Sequence, residues 1–248
     1  KLPVHLKKGD CMYQTHRTYI KADMKLSQLI RENPGLLLLL EHFEIDFVVH
    51  DKTVSQICIE HEIPIPLFLL FANLYNGFNP EKEDITPVSD IRLIIRFLKN
   101  SHEYYKTDKY PEIIQYIKTL QSICMNEEVK LIEQFFTDYF DEVLEHLNYE
   151  DEIAFPYFIQ LLQNESSDNP SAFSVNEYRL HHTDIETKLA DLKNLLLNHI
   201  RITDELPLRR RLLFNLFELE FDLQIHALIE EKILLPLISE VEKRQRNG

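Results

Sequence analysis

Apolar positions along the chain fall into two regimes. From Lys25 they come in short runs separated by proline and polar residues. Leu26, Leu29 and Ile30 lead to a break at Asn33-Pro34, followed by Leu36 to Phe43, Thr53 to Cys58, and Ile63 to Phe68. This spacing predicts short helices that close near Asn79-Pro80. From Ser89 the periodic stretches lengthen. Ser89-Asp90 is placed to cap a helix reaching about Tyr105. Pro111 then starts or kinks the next piece, since proline is tolerated in a first turn. Glu127 to about Gln163 is one long amphipathic stretch with a kink expected at Pro156, and Asn164 to Ala172 is a polar loop. Ser174 to about Ile200 carries an apolar face of Leu189, Leu192, Leu195, Leu196 and Leu197, and Leu206 to about Lys243 completes the series. Four long helices joined by short or moderate loops predict a four-helix bundle.

The expected fold is therefore all-α. Residues 1–20 read as an amino-terminal arm, 21–79 as a small helical domain, 80–87 as a charged linker with two prolines, and 88–248 as the bundle. Composition agrees: only 4 of 248 residues are glycine, and 44% are hydrophobic, enough to build a core. No apolar run approaches the roughly 20 residues of a membrane helix. A net charge of −14 disfavours nucleic acid and anionic membrane as partners, because phosphate contacts need a basic surface. The three cysteines, Cys11, Cys58 and Cys124, are scattered without a CxxC spacing, so no disulfide framework is expected. No leader is recognisable in the first residues, and the expected compartment is the cytoplasm.

One motif occurs twice. His146 and Glu150 are four residues apart, as are His226 and Glu230; an acidic residue follows each glutamate, and a proline stands ten residues after each histidine, at Pro156 and Pro236. Residues i and i+4 share a helix face, so each imidazole and carboxylate can converge on one ion. His102 and His182 supply one histidine from each remaining long helix. Of the adjacent His181 and His182, periodicity with Ile185, Leu189 and Leu192 places His182 inward. His102, His146, Glu150, His182, His226 and Glu230 thus form a candidate two-metal site of imidazoles and bridging carboxylates, a donor set suited to iron or manganese. A single His–Glu pair would be an ordinary surface ion pair. The shared downstream runs, Ile153-Ala-Phe-Pro156 and Ile233-Leu-Leu-Pro236, argue against that for both. Glu142, one turn before His146, is a candidate partner for a ligand, whereas Glu145, Glu152, Asp222 and Glu231 read as solvated charges.

With these residues in place, the second domain resembles the hemerythrin-like cation-binding domains, and the chain over about residues 24 to 240 resembles the repair of iron centres family. Lys25-Leu-Ser-Gln-Leu-Ile and Leu40-Glu-His-Phe-Glu-Ile-Asp-Phe47 are similar to that family's small amino-terminal domain. Asn100-Ser-His-Glu-Tyr-Tyr105, His146-Leu-Asn-Tyr-Glu150, His181-His-Thr-Asp184 and His226-Ala-Leu-Ile-Glu230 are similar to its ligand helices. The resemblance implies a non-haem di-iron centre with four histidine ligands and two bridging glutamates. It also implies restoration of iron–sulfur clusters damaged by nitric oxide or oxidants, by iron donation or nitric-oxide chemistry. The implied partners are damaged iron–sulfur proteins, with nitric oxide or oxygen as small ligands; the oligomeric state stays open, a homodimer being one form it can take. Where the family carries a Cys-Cys pair, this chain has Val48-Val49-His50, so the small domain is not expected to be a thiol site. The competing expectation is an oxygen or nitric-oxide binding or sensing protein. Hemerythrin-like oxygen carriers use five histidines, and neither His181 nor His199 fits the helix face as a fifth.

Overall fold

This computed structural model describes residues 17–79, 90–124, 127–163, 175, 178, 185–198 and 205–246. Among the described residues helices are the dominant secondary structure and no strand forms, apart from an isolated antiparallel bridge between Lys25 and Thr53. It divides into two compact units, Lys1–Thr86 and Pro87–Gly248. None of the described helices is long and apolar enough to cross a membrane.

The first unit contains α1 (Leu26–Glu32), α2 (Leu36–His42), α3 (Val54–Glu60) and α4 (Ile65–Tyr75). Helix α3 begins with a reciprocal cap, in which Thr53 Oγ1 accepts from the Gln56 amide and Gln56 Oε1 from the Thr53 amide. Helix α4 packs on α2 and α3, and Phe43 meets Phe68 and Phe71 at ring distances of 5.5 and 5.6 Å. The expected arm is shorter than its sequence suggests. Ile20 is buried, and its amide donates to Asn73 Oδ1 at 2.7 Å while Asn73 Nδ2 donates back to the Ile20 carbonyl at 3.1 Å. Residues 17–20 thus include backbone docked on α4; residues 1–16 and the 80–87 linker lie outside the described residues.

The second unit is built from long helices, three of them interrupted by a π turn. α5 (Ile91–Tyr104) runs through a π turn at Tyr105–Lys109 into α6 (Tyr110–Cys124). α7 (Glu127–Tyr149) runs through Glu150–Ala154 into α8 (Phe155–Leu162). α9 spans Ile185–Asn198. α10 (Leu206–Ile229) runs through Glu230–Leu234 into α11 (Leu235–Arg246). Helix α6 packs on α7 and α10, α9 packs on the same two helices, and α8 packs on α11. The interior is apolar at helical spacing: Ile113, Ile117 and Leu120 of α6, Phe136, Phe140, Val143 and Leu147 of α7, Leu189, Leu192 and Leu196 of α9, and Leu212, Leu216, Leu219 and Leu223 of α10. Tyr110 stacks on Phe140 with ring centroids 3.9 Å apart.

The kink expected at Pro156 is a π turn, and the same device recurs at Pro111 and Pro236. In each case the residue just before the proline donates its amide five residues back: Tyr110 to the Tyr105 carbonyl, Phe155 to Glu150, and Leu235 to Glu230. Proline has no amide and its ring collides with the carbonyl four residues earlier. Widening the turn by one residue accommodates both problems without ending the helix. Of the expected Ser89-Asp90 cap, Asp90 flanks α5 without a side-chain cap bond, and Ser89 lies outside the described residues.

Candidate metal centre

The π turns put the two repeated pairs at matching places, with Glu150 and Glu230 each opening one. His102, His146, Glu150, His226 and Glu230 are all buried, the two glutamates at 0% exposure. A lone buried carboxylate would be costly to desolvate. Here the five side chains form two adjoining groups, His102–Glu150–His226 and His146–Glu150–Glu230, with the ligand atoms of each group within 4.8 Å of one another. Glu150 belongs to both. The sixth expected ligand, His182, lies outside the described residues, as do His181 and His199.

In the first group, His102 Nε2 is 3.3 Å from Glu150 Oε2 and 3.4 Å from His226 Nε2, and His226 Nε2 is 3.9 Å from the same oxygen. A point equidistant from these atoms lies about 2.1 Å from each, the length at which a divalent ion such as zinc binds imidazole nitrogen or carboxylate oxygen (about 2.0–2.2 Å). Glu150 Oε2 is buried and accepts no hydrogen bond. In the second group His146 Nε2 is 3.0 Å from Glu150 Oε1. Glu230 Oε1 also reaches His226 Nε2 at 3.4 Å, so it faces both groups.

The far nitrogens of two rings are fixed from outside. Ser101 Oγ donates its proton to the Leu98 carbonyl at 2.7 Å, so at 2.8 Å it accepts from His226 Nδ1–H. His102 Nδ1–H donates to Asp151 Oδ1 at 3.0 Å, and Asp151 Oδ2 accepts from Lys106 at 3.0 Å. With the Nδ1–H of each ring held from outside, Nε2 is the nitrogen left to face an ion. This is how metal-binding histidines are usually oriented. Tyr178, in helical backbone and 1% exposed, donates its phenol proton to Glu150 Oε1 at 2.5 Å.

The charges answer to the same geometry. Burial opposes ionisation of Glu150, but the imidazoles of His102, His146 and His226 hold its carboxyl well below the usual carboxylate range. Burial also lowers His226, yet Glu230 and Glu150 outweigh it and raise its pKa to about 10. Burial, with Glu230 and Glu150 nearby, pushes the Tyr178 phenol well above its usual value, so it remains a donor.

Several partners differ from the sequence reading. Glu142 is exposed and pairs with Lys188 rather than with a ligand. Asp222, expected to be solvated, is 1% exposed and accepts from Tyr105 Oη at 2.8 Å. Glu145, Glu152 and Glu231 are exposed. Sequence reasoning missed Tyr178, Ser101, Asp151 and Tyr105, although spacing carried a signal for three of them. Ser101, Tyr105 and Pro111 repeat the separations of His146, Glu150 and Pro156, and Tyr178 stands four residues before His182. In the first unit, Val49 is buried, Phe47, Val48 and His50 are exposed, and the Cys58 thiol is buried with its pKa pushed up to about 12. No known family model matches the chain, and no curated protein matches it.

Proposed function

We propose that the chain is a non-haem di-iron protein of the iron-centre repair type, with its long helices forming a hemerythrin-like four-helix bundle. Its role in this reading is to restore iron–sulfur proteins damaged by nitrosative or oxidative stress. The observation that carries the reading is Glu150: fully buried and shared by two adjoining groups of nitrogen and oxygen ligands. The neighbour pattern of α6, α7, α9 and α10, each packed on two of the others, supports the bundle. Iron suits the mixture of imidazole and carboxylate, with manganese the closest substitute.

Iron held there would supply one-electron redox change and affinity for nitric oxide or oxygen. The chain's own residues set the rest. Glu150 and Glu230 favour the harder ferric ion, while neutral imidazoles hold ferrous iron less firmly than thiolates would. The ferrous protein is therefore expected to yield iron to a chelator faster than the ferric protein. Ser101 and Asp151 orient two imidazoles inward, and burial of the ligand residues limits access of water.

The test combines metal analysis with optical spectra before and after nitric oxide. The wild-type chain is expected to bind about two irons and, when ferrous, to restore a nitric-oxide-damaged iron–sulfur protein. Replacing Glu150 and Glu230 together by alanine should remove most of the iron, abolish restoration and leave much of the helix content. Full metal retention in that double variant would sink the centre. Very slow iron release from both oxidation states, alongside reversible oxygen binding, would support the gas-binding reading instead.

A further inference from the structure

On the reading of a metal centre that shares Glu150, the positions on either side of that carboxylate are built differently. Around the His102–His226 position, both rings are aligned from behind, by Asp151 at 3.0 Å and Ser101 at 2.8 Å. The oxygen that faces them, Glu150 Oε2, has no hydrogen bond to divert its lone pairs. All three donor atoms face one point, about 2.1 Å from each.

The His146–Glu230 position meets the other oxygen. Glu150 Oε1 already accepts the Tyr178 phenol proton at 2.5 Å while lying 3.0 Å from His146 Nε2. The phenol is held there by packing: its ring is buried and meets Phe158 edge-on at 5.9 Å. A hydrogen bond to an ionised oxygen is short and strong, and it draws on the same electron density that an ion would use. An ion bound at Oε1 must share that oxygen with the phenol; an ion at Oε2 shares with nothing comparable.

We propose that the two metal positions are unequal, that the His102–His226 position fills first, and that Tyr178, a positioning residue on Glu150, keeps the His146–Glu230 position weaker. The weaker position is then the source of transferable iron. The stronger one stays filled and ties α5, the π turn that opens at Glu150, and α10 together.

Cobalt(II) added to the chelator-stripped full chain tests this, followed by visible absorption and calorimetry. Wild type should show two phases separated by about tenfold or more in Kd, the scale on which partners of metal ligands act. Tyr178→Phe should tighten the weaker phase toward the stronger and leave the stronger unchanged. His146→Ala should delete the weaker phase, and His226→Ala the stronger. If Tyr178→Phe weakens both phases alike, Tyr178 has only a packing role and the proposal falls. Loss of the tight phase in His146→Ala overturns the ordering independently of how Tyr178→Phe folds. Two equal phases in wild type overturn the ordering while leaving the centre standing; no bound cobalt overturns both.

Discussion

Which way the His102 and His226 imidazoles point is decided by residues on other stretches of the chain. Ser101 of α5 aligns His226 of α10, and Asp151, in the π turn after α7, aligns His102 of α5. Removing such a partner typically costs about 10–100-fold in metal affinity. Ser101→Ala is therefore expected to weaken the tighter cobalt phase by about tenfold or more, with circular dichroism unchanged. Ser101→Thr, which keeps a hydroxyl, should recover most of it. An unchanged isotherm in Ser101→Ala would mean the hydroxyl does not hold the ring. The ligand positions were legible because two residues four apart share a helix face and because the pair is repeated. Their partners were not. Glu142 and Asp222 each stand one turn before a ligand histidine, yet Glu142 pairs with Lys188 at the surface and Asp222 is buried against Tyr105. Only the placement of α5 beside α10 distinguishes them, and a local pattern carries no such information. Tyr178 escaped for the same reason: its partner Glu150 lies on a separate stretch of the chain.

At the level of elements, the short helices of the first unit were legible from their prolines and apolar spacing. The π turns were not, because π and α backbone share nearly the same dihedral angles and differ only in one wider turn. Their signature, a proline six residues after the turn's first residue, predicts a kink at Pro156 and a start or kink at Pro111, while at Pro236 it enters only the repeated ligand motif. Helix ends in the first unit carry a second hidden cost. Glu44 and Glu62 sit just beyond the ends of α2 and α3 with φ of 58° and 55°. The amides of Ile45 and Ile63 close the loops onto the carbonyls of Leu40 at 2.8 Å and Cys58 at 2.9 Å. Beyond α4 the same loop uses Gly77, with φ of 76°. A side chain in left-handed backbone is strained where glycine is not. Glu44→Gly and Glu62→Gly are each expected to stabilise the first unit by about 0.5–1 kcal/mol, less the greater flexibility of glycine when unfolded. Slower hydrogen exchange of α2 and α3 amides in the full chain would register the gain; faster exchange would show that the glutamate side chains supply more than the strain removes.

For the whole molecule, the centre couples pH, metal and folding. In protein stripped of metal, Glu150 titrates below its ordinary value of 4.5. Its contribution to stability is then present above about 4.5 and lost as pH falls toward its folded value. His226 runs the other way. Its pKa is raised from 6.5 to about 10, so its contribution is fully present below 6.5 and lost as pH rises toward 10. The stripped protein should accordingly be most stable between about 4.5 and 6.5, as far as these two groups decide it. A metal ion reverses the upper limb. It needs the His226 Nε2 lone pair, so binding releases the proton, and affinity should rise up to about tenfold per pH unit while His226 is otherwise protonated. Because bound metal stabilises the folded state in proportion to the logarithm of its concentration over Kd, the gap in Tm between cobalt-loaded and stripped protein should widen from pH 6 to pH 9. Thermal unfolding at fixed free cobalt across that range measures it directly. A gap that narrows or stays flat would mean that the His226 proton and the ion do not compete, and that His226 is not a ligand.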